Sequence, residues 1–145
     1  MSVVFYRSLL PPDKGNTKII SIVDDEIDIA KLFRDTLKRL PGLSIFTFTD
    51  PTMAIEHFAL NKSSYVLVIS DLRLPEINGL QLLKTVKDLN PKVKTVLITA
   101  FDVEDTLFQS YLRDEIINGF AQKPISINNL IREVTEQLHR YQLQE

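Results

Sequence analysis

The sequence predicts an α/β fold in which a doubly wound sheet of five parallel strands carries helices on both faces. Short apolar runs rich in β-branched residues alternate with amphipathic segments of helical length along most of the chain. Three of these runs are almost continuously apolar, as expected of strands covered on both faces. With the first strand in a central position and the second at an edge, right-handed crossovers give the strand order 2-1-3-4-5.

The strands are predicted one by one from the apolar runs. Residues 19–23, 65–69 and 93–98 are the near-continuous runs and are assigned to the centre of the sheet. Residues 44–48 alternate polar and apolar side chains, and residues 119–121 form a short run, so both suit edge positions.

Five helices are predicted between and after these strands. Apolar residues recur at spacings of three and four over residues 29–40, where Pro41-Gly42 ends the pattern, and again over residues 127–141. The other helical segments are residues 54–60, 80–89 and 103–112.

The length and composition favour a single soluble domain. The 145 residues are 44% hydrophobic and 25% charged, which indicates neither a disordered nor a membrane protein. The net charge is −2 and basic residues are interspersed with acidic ones, so direct nucleic-acid binding is not expected.

The termini and the residue types suggest where the protein works. Residues 1–17 end in a turn-rich cluster and are predicted to be an N-terminal extension, with the domain comprising residues 18–145. The apolar part of this extension is too short for a signal peptide or a membrane span, and the chain has no cysteine. We therefore expect a cytoplasmic protein without a membrane partner.

Chemically active side chains follow four of the predicted strands. Asp24 and Asp25 follow the first strand, Asp71 the third, Thr99 the fourth and Lys123 the fifth. Ligands of doubly wound sheets bind beyond the carboxyl ends of the strands, at the switch in strand order. The sequence therefore predicts that these five side chains meet at one site.

Each of these residues also has a simple structural explanation. Asp24 and Asp25 suit a helix N-terminus, and Asp71 suits a turn in which it bonds its own backbone. Thr99 and Lys123, taken singly, are most simply a strand-end threonine and a solvated lysine. Three carboxylates in one cleft, however, would repel one another strongly without a cation, so the joint placement favours a metal.

The donor set indicates magnesium and phosphoryl chemistry. Carboxylate oxygens without nearby histidine or cysteine ligands suit Mg²⁺. A carboxylate beside the metal can attack phosphorus and form an aspartyl phosphate, for which Asp71 is the natural acceptor. Thr99 and Lys123 would then bind the phosphoryl oxygens.

The ordered set of motifs resembles the receiver domain of two-component response regulators, the family that includes the single-domain chemotaxis regulators. The resemblance covers roughly residues 18–141 and implies a flavodoxin-like (βα)5 fold. The matching fragments are Val23-Asp24-Asp25-Glu26, Asp71-Leu72-Arg73-Leu74-Pro75 with Gly79, Ile98-Thr99-Ala100 and Lys123-Pro124.

The resemblance implies a role for each site residue. Asp71 would be the phosphoacceptor, and Mg²⁺ would be held by Asp24, Asp25, Asp71 and the backbone carbonyl of Arg73. The switch residues would be Thr99 and Phe120, while Lys123 would pair with the phosphate through a loop whose Lys123–Pro124 bond is cis.

Two features depart from the usual family pattern. Residues 111–118 carry bulky and charged side chains where small residues are common, so we expect the fourth helix to be longer or displaced. Phe101, two residues after Thr99, lies on the path of a hydrolytic water and is expected to slow loss of the phosphoryl group.

The leading hypothesis is a stand-alone receiver, a signalling switch rather than an enzyme. Its implied partners are a histidine kinase or phosphotransfer protein and an unidentified downstream protein, and a homodimer is left open. One alternative is a phosphorylation-independent interaction module on the same fold. A second is a magnesium phosphohydrolase of the haloacid-dehalogenase type, which is less favoured because Arg73 stands where that family has a second carboxylate.

Overall fold

The computed structural model describes residues 18–100 and 106–144, in which five strands alternate with five helices. The strands are β1 (Lys18–Val23), β2 (Leu43–Phe48), β3 (Tyr65–Asp71), β4 (Lys94–Thr99) and β5 (Gly119–Gln122). The helices are α1 (Ile27–Leu37), α2 (Pro51–Leu60), α3 (Gly79–Leu89), α4 (Thr106–Arg113) and α5 (Ile127–Leu143).

The strands form one parallel sheet in the order β2-β1-β3-β4-β5, which confirms the predicted doubly wound fold. Every residue of β3 and β4 is buried, because helices cover both faces of the sheet centre. Most residues of β2 and β5 are half-buried, as predicted for edge strands.

Two apolar cores lie on opposite faces of the sheet. Helices α2, α3 and α4 cover one face, and α1 and α5 cover the other. The first core is built around Phe58, Leu83 and Phe108, and the second around Phe33 and Val134. Packing on both faces fixes the sheet, so that the loops after its strands lie at one edge.

Helix α3 begins at a position set by the loop that follows β3. The Asn78 side chain accepts a hydrogen bond from the Gln81 N–H, and the Gln81 side chain accepts one from the Asn78 N–H. This capping box satisfies backbone donors that the first helical turn leaves free. The Gly79 N–H donates to the Leu72 carbonyl at 2.8 Å, which ties the start of the helix to the end of β3.

The predicted element boundaries agree with the structure within a few residues. β3 and β4 extend to include Asp71 and Thr99, which the sequence placed just after the strands. The predicted fourth helix begins within residues 101–105, which lie outside the described residues, as does Phe101. Its described part, α4, ends at Arg113, one residue beyond the predicted end, so it is not substantially longer at this end.

The bulky residues after α4 form a tight turn into β5. Glu115 has a positive φ of 59°, and the N–H groups of Ile116 and Ile117 both donate to the Tyr111 carbonyl. Ile117 is buried against the first core. Large side chains are thus accommodated here because one of them packs inward.

The described residues contain no helix that is both long and apolar enough to cross a membrane.

We predict that Gly79→Ala lowers the free energy of unfolding by roughly 2 kcal/mol. A Cβ at position 79 would lie 2.2 Å from the backbone oxygen of Asp71, which cannot move without displacing β3. Urea unfolding of both proteins measures the difference.

The matched control is Gly119→Ala. Its Cβ would meet the carboxylate of Glu133 at 2.2 Å, but that atom is the end of a flexible side chain. We therefore expect a smaller loss of stability. Equal losses in the two variants would contradict the close approach of α3 to the Asp71 backbone.

Candidate functional site

The predicted site residues meet where the strands end at the switch in strand order. Asp24 follows β1, Asp71 and Thr99 end β3 and β4, and Lys123 follows β5. Asp24 and Asp71 are 2% and 8% exposed, and Thr99 is fully buried. The parallel sheet therefore brings together residues that are up to 99 positions apart in sequence.

The Lys123 ammonium is the centre of this cluster. It donates to Asp24 Oδ2 at 2.8 Å, to Glu26 Oε1 at 3.2 Å and to Asp71 Oδ2 at 3.4 Å. The Lys123 side chain is itself largely buried. Its backbone is also fixed, because the Lys123 N–H donates to the Thr99 carbonyl at 2.8 Å.

The carboxylates form a group with the geometry of a cation site. One oxygen from each of Asp24, Asp25, Glu26 and Asp71 lies within 4.8 Å of the others. All the ligand atoms are hard carboxylate oxygens, which fits Mg²⁺ rather than a metal that prefers sulfur or nitrogen. Asp25 and Glu26 are exposed, which leaves the cluster open to solvent on one side.

Glu26 was missed as a site residue by the sequence argument. It belongs to the fragment Val23-Asp24-Asp25-Glu26 on which the resemblance rests, but it was given no role there. In the structure Glu26 is the N-cap of α1 and has no side-chain capping bond. Its carboxylate instead bonds Lys123, a contact that depends on a residue 97 positions away.

Asp24 and Asp71 also make local backbone hydrogen bonds, as a helix N-terminus and a turn would require. Asp24 Oδ1 accepts the Glu26 N–H at 2.9 Å, and Asp71 Oδ1 accepts the Leu72 N–H at 2.8 Å. In each residue, however, the second oxygen points to the Lys123 ammonium. Local backbone bonding therefore orients these carboxylates and leaves one oxygen of each for the shared site.

The remaining predicted residues lie around this cluster. Arg73 lies two residues beyond Asp71, in the loop between β3 and α3. Phe120 pairs with Leu97 in the sheet, and its ring contacts the Phe108 ring edge-on at a centroid distance of 5.1 Å. Phe120 is thus held in an aromatic contact between β5 and α4. The Lys123–Pro124 bond is cis, as the resemblance implied.

The electrostatics of the cluster are reflected in two pKa shifts. Burial raises the pKa of Asp71 and the Asp24 charge adds to this, although Lys123 acts in the opposite direction. Burial alone would lower the pKa of Lys123, but its bonds and charge interactions with Asp24, Asp71 and Glu26 raise it above 10.5. The site therefore favours the charged form of Lys123 and disfavours the charged form of Asp71, each relative to the same group free in water.

We predict that Asp71→Asn stabilises the fold at neutral pH by roughly 1 kcal/mol, or about 3 °C in Tm. Because the folded-state pKa of Asp71 is raised, its favourable neutral form is present at low pH and is lost as pH rises through that pKa. The variant has no ionisable group at position 71, so its stability does not fall in this way as pH rises. Thermal unfolding from pH 3.5 to 7.5 should show a gain in Tm that grows with pH.

The control for this prediction is Asp88→Asn. Asp88 is an exposed carboxylate on α3 that pairs with Lys84, so its removal should leave Tm unchanged or slightly lower at all these pH values. A destabilised Asp71→Asn protein at neutral pH would show that Lys123 attraction outweighs burial and repulsion at Asp71.

Comparison with known proteins agrees with this fold. The model of the family described as "Response regulator receiver domain" matches residues 20–135. Among curated proteins, the DNA-binding transcriptional regulator NtrC of Escherichia coli is 28% identical over 127 residues, which are 88% of this chain and 26% of that protein. The chain thus spans about a quarter of the length of such relatives.

Solved structures share the architecture at low sequence identity. A CheY-like receiver domain protein from Methanospirillum hungatei superposes with a TM-score of 0.76 at 19% identity, covering 88% of this chain and 98% of that one. The beryllofluoride-activated NtrC4 receiver domain dimer has a TM-score of 0.74 at 19% identity, covering 85% of this chain and 98% of that one.

The family match covers most of the chain, and the sheet order and clustered strand-end residues are those that the sequence resemblance implied. Members of the family serve two-component signalling, in which phosphorylation on an aspartate is characteristic. This chain belongs to the response regulator receiver domain family.

Proposed function

We propose that the protein is a phosphorylation-dependent signalling switch that accepts a phosphoryl group on Asp71. The observation that carries this proposal is the position of the Asp71 carboxylate, which lies beside the Lys123 ammonium in a cluster of carboxylates at the switch in strand order. The phosphoryl donor would be a histidine kinase or a phosphotransfer protein.

The donor set supports a Mg²⁺ cofactor held by Asp24, Asp25, Asp71 and the backbone carbonyl of Arg73. When bound, Mg²⁺ would neutralise charge on the carboxylates and on the incoming phosphoryl group. Lys123 then has a distinct task. Its ammonium already lies 3.4 Å from Asp71 Oδ2, so it can hydrogen-bond an oxygen of a phosphoryl group attached there.

The transfer itself forms one bond and breaks one. An oxygen of ionised Asp71 attacks phosphorus in line with the leaving group, and a new O–P bond forms. The bond between phosphorus and the donor imidazole nitrogen breaks, and the nitrogen keeps its electron pair. Ionised Asp71 is the form that attacks. The burial that raises the pKa of Asp71 also leaves the charged carboxylate poorly solvated before the attack.

The proposed response to phosphorylation runs through Thr99 and Phe120. The Thr99 hydroxyl would bond a phosphoryl oxygen, and Phe120 would leave its contact with Phe108 and turn inward. Such a change alters the surface formed by α4, β5 and α5, through which we propose that the protein binds its downstream protein partner. A second copy of the chain is one candidate partner, since a receiver relative forms a dimer.

We also propose the bounds of the domain, its location and its mode of action. We place the receiver in residues 18–145, after an N-terminal extension of residues 1–17, and in the cytoplasm. The domain would act by itself through protein contacts, without touching nucleic acid or catalysing turnover. The filled acceptor site favours this function over a phosphorylation-independent interaction module on the same fold.

The test is the intact mass of the protein after incubation with Mg²⁺ and a small-molecule phosphodonor. We expect a gain of one phosphoryl group in the native chain and in Asp88→Asn, a control that changes an aspartate outside the site. Asp71→Asn and a native sample without Mg²⁺ should show no gain.

A gain that persists in Asp71→Asn would contradict the assigned acceptor. No gain in the native chain calls for a second measurement, because rapid hydrolysis gives the same result. Beryllofluoride, a stable phosphoryl analogue, should then shift the NMR signals of Thr99 and Phe120. Unchanged signals with Mg²⁺ and beryllofluoride present would favour the phosphorylation-independent module.

We predict that Asp25→Asn weakens Mg²⁺ binding by roughly tenfold or more, because a charged oxygen ligand is lost. Asp28→Asn is the control, since Asp28 lies in the first turn of α1 outside the carboxylate cluster. Isothermal titration calorimetry measures both affinities without requiring phosphorylation. Equal affinities in the two variants would remove Asp25 from the metal site.

A further inference from the structure

Glu26 has a firmly held backbone and a side chain that does not cap α1. Its N–H donates to Asp24 Oδ1 at 2.9 Å, and its carbonyl accepts the N–H groups of Ile29 and Ala30, both at 3.1 Å. A polar side chain at the N-cap usually bonds the first helical turn, but that of Glu26 makes no such bond. Its carboxylate is therefore available for the contact with Lys123, from a starting point that the backbone fixes.

The three carboxylates that accept from Lys123 differ in their exposure to solvent. Asp24 and Asp71 are buried, and the Lys123 side chain is 12% exposed. The Glu26 side chain is 63% exposed. Glu26 therefore holds the ammonium from the solvent side, while the two aspartates hold it from the interior.

The carboxylates already occupy the hydrogen-bonding capacity of Lys123. An ammonium has three N–H donors, and the bonds to Asp24, Glu26 and Asp71 are 2.8, 3.2 and 3.4 Å long. The bond to Asp71 is the longest and lies beyond the usual range of about 2.7–3.2 Å. A stronger bond to a phosphoryl oxygen on Asp71 would thus require the ammonium to shift away from one of the other acceptors.

The bond to Glu26 is the one that opens at least cost. Asp24 is buried, so without Lys123 its second oxygen would lose a partner in a place that water does not reach freely. Water can replace the ammonium at the exposed Glu26 carboxylate. Lys123 also stays in place without Glu26, because Asp24 and the Thr99 carbonyl hold its side chain and its backbone.

We propose that Glu26 competes with a phosphoryl group on Asp71 for the Lys123 ammonium. Glu26 holds the ammonium in the unphosphorylated protein and is displaced when phosphoryl oxygens bind it. The contact therefore stabilises the unphosphorylated state and opposes the phosphorylated one. This inference rests on the proposed function, since it assigns Glu26 a role in the response to a phosphoryl group on Asp71.

The test is the affinity of the protein for beryllofluoride at saturating Mg²⁺, measured by fluorine NMR, so that differences in Mg²⁺ affinity do not enter. Glu26→Gln keeps the length of the side chain and removes its charge. Glu26→Asp keeps the charge, but its side chain is one methylene shorter and suits the free N-cap of α1, so it does not reach Lys123. We expect both variants to bind beryllofluoride roughly threefold more tightly than the native chain, the size of effect typical of a partly exposed ion pair.

The matched control is Asp28→Asn, which removes an exposed negative charge from the first turn of α1, outside the carboxylate cluster. It should bind beryllofluoride like the native chain. A second readout needs neither Mg²⁺ nor beryllofluoride. NMR relaxation of the Lys123 Cε carbon should show a more mobile side chain in Glu26→Asp than in the native chain and in Asp28→Asn.

Three results would overturn the inference. Equal affinities in all four proteins would show that Glu26 does not compete for Lys123. Tighter binding in Glu26→Gln but not in Glu26→Asp would assign the effect to charge repulsion alone. Weaker binding in both would make Glu26 part of the phosphoryl site. By contrast, a native chain that does not bind beryllofluoride would contradict the proposed function itself, and this inference with it.

Discussion

The close approach of the Asp24 and Asp71 carboxylates, both buried at the end of the sheet, is the constraint that organises this protein. One oxygen of each residue lies within 4.8 Å of the other. Two like charges near that separation repel by roughly 3 kcal/mol at an effective dielectric constant of about 20. Lys123 offsets this repulsion because its ammonium lies within 3.4 Å of an oxygen of each residue. The two acidic strand ends and the end of β5 are thereby tied together, and any change in charge at Asp71 is felt directly by the segment that carries Lys123.

This connection links the site to β5 and α4, which have few buried residues. Lys123 follows β5, a short half-buried strand, and its N–H is bonded to the Thr99 carbonyl. Phe120 lies in the same strand and contacts α4 through Phe108. The central strands β3 and β4 are buried throughout and resist deformation. A charge change at the site is therefore most easily relieved by movement of β5 and α4, because fewer buried contacts hold them.

The two edges of the sheet differ in what borders them. β5 lies beside the charged site and α4, so its environment responds to Lys123. β2 lies on the far side of β1, where Phe46 and Met53 form an apolar rim beside α2. The sheet centre thus separates an edge that borders the charged site from an edge beside which apolar side chains are exposed.

The sequence by itself determined the alternation of strands and helices, the edge positions of β2 and β5, and the identity of the residues at or just after the strand ends. Hydrophobic periodicity carries this information locally, and the parallel sheet then requires the strand ends to meet. The tertiary structure alone decided that Glu26 shares Lys123 with two aspartates and that Phe120 rests against Phe108. It also decided how the bulky residues after α4 turn into β5, with Ile117 packed inward. These features arise from contacts between side chains distant in sequence or from the space left by packing, and no local pattern encodes them.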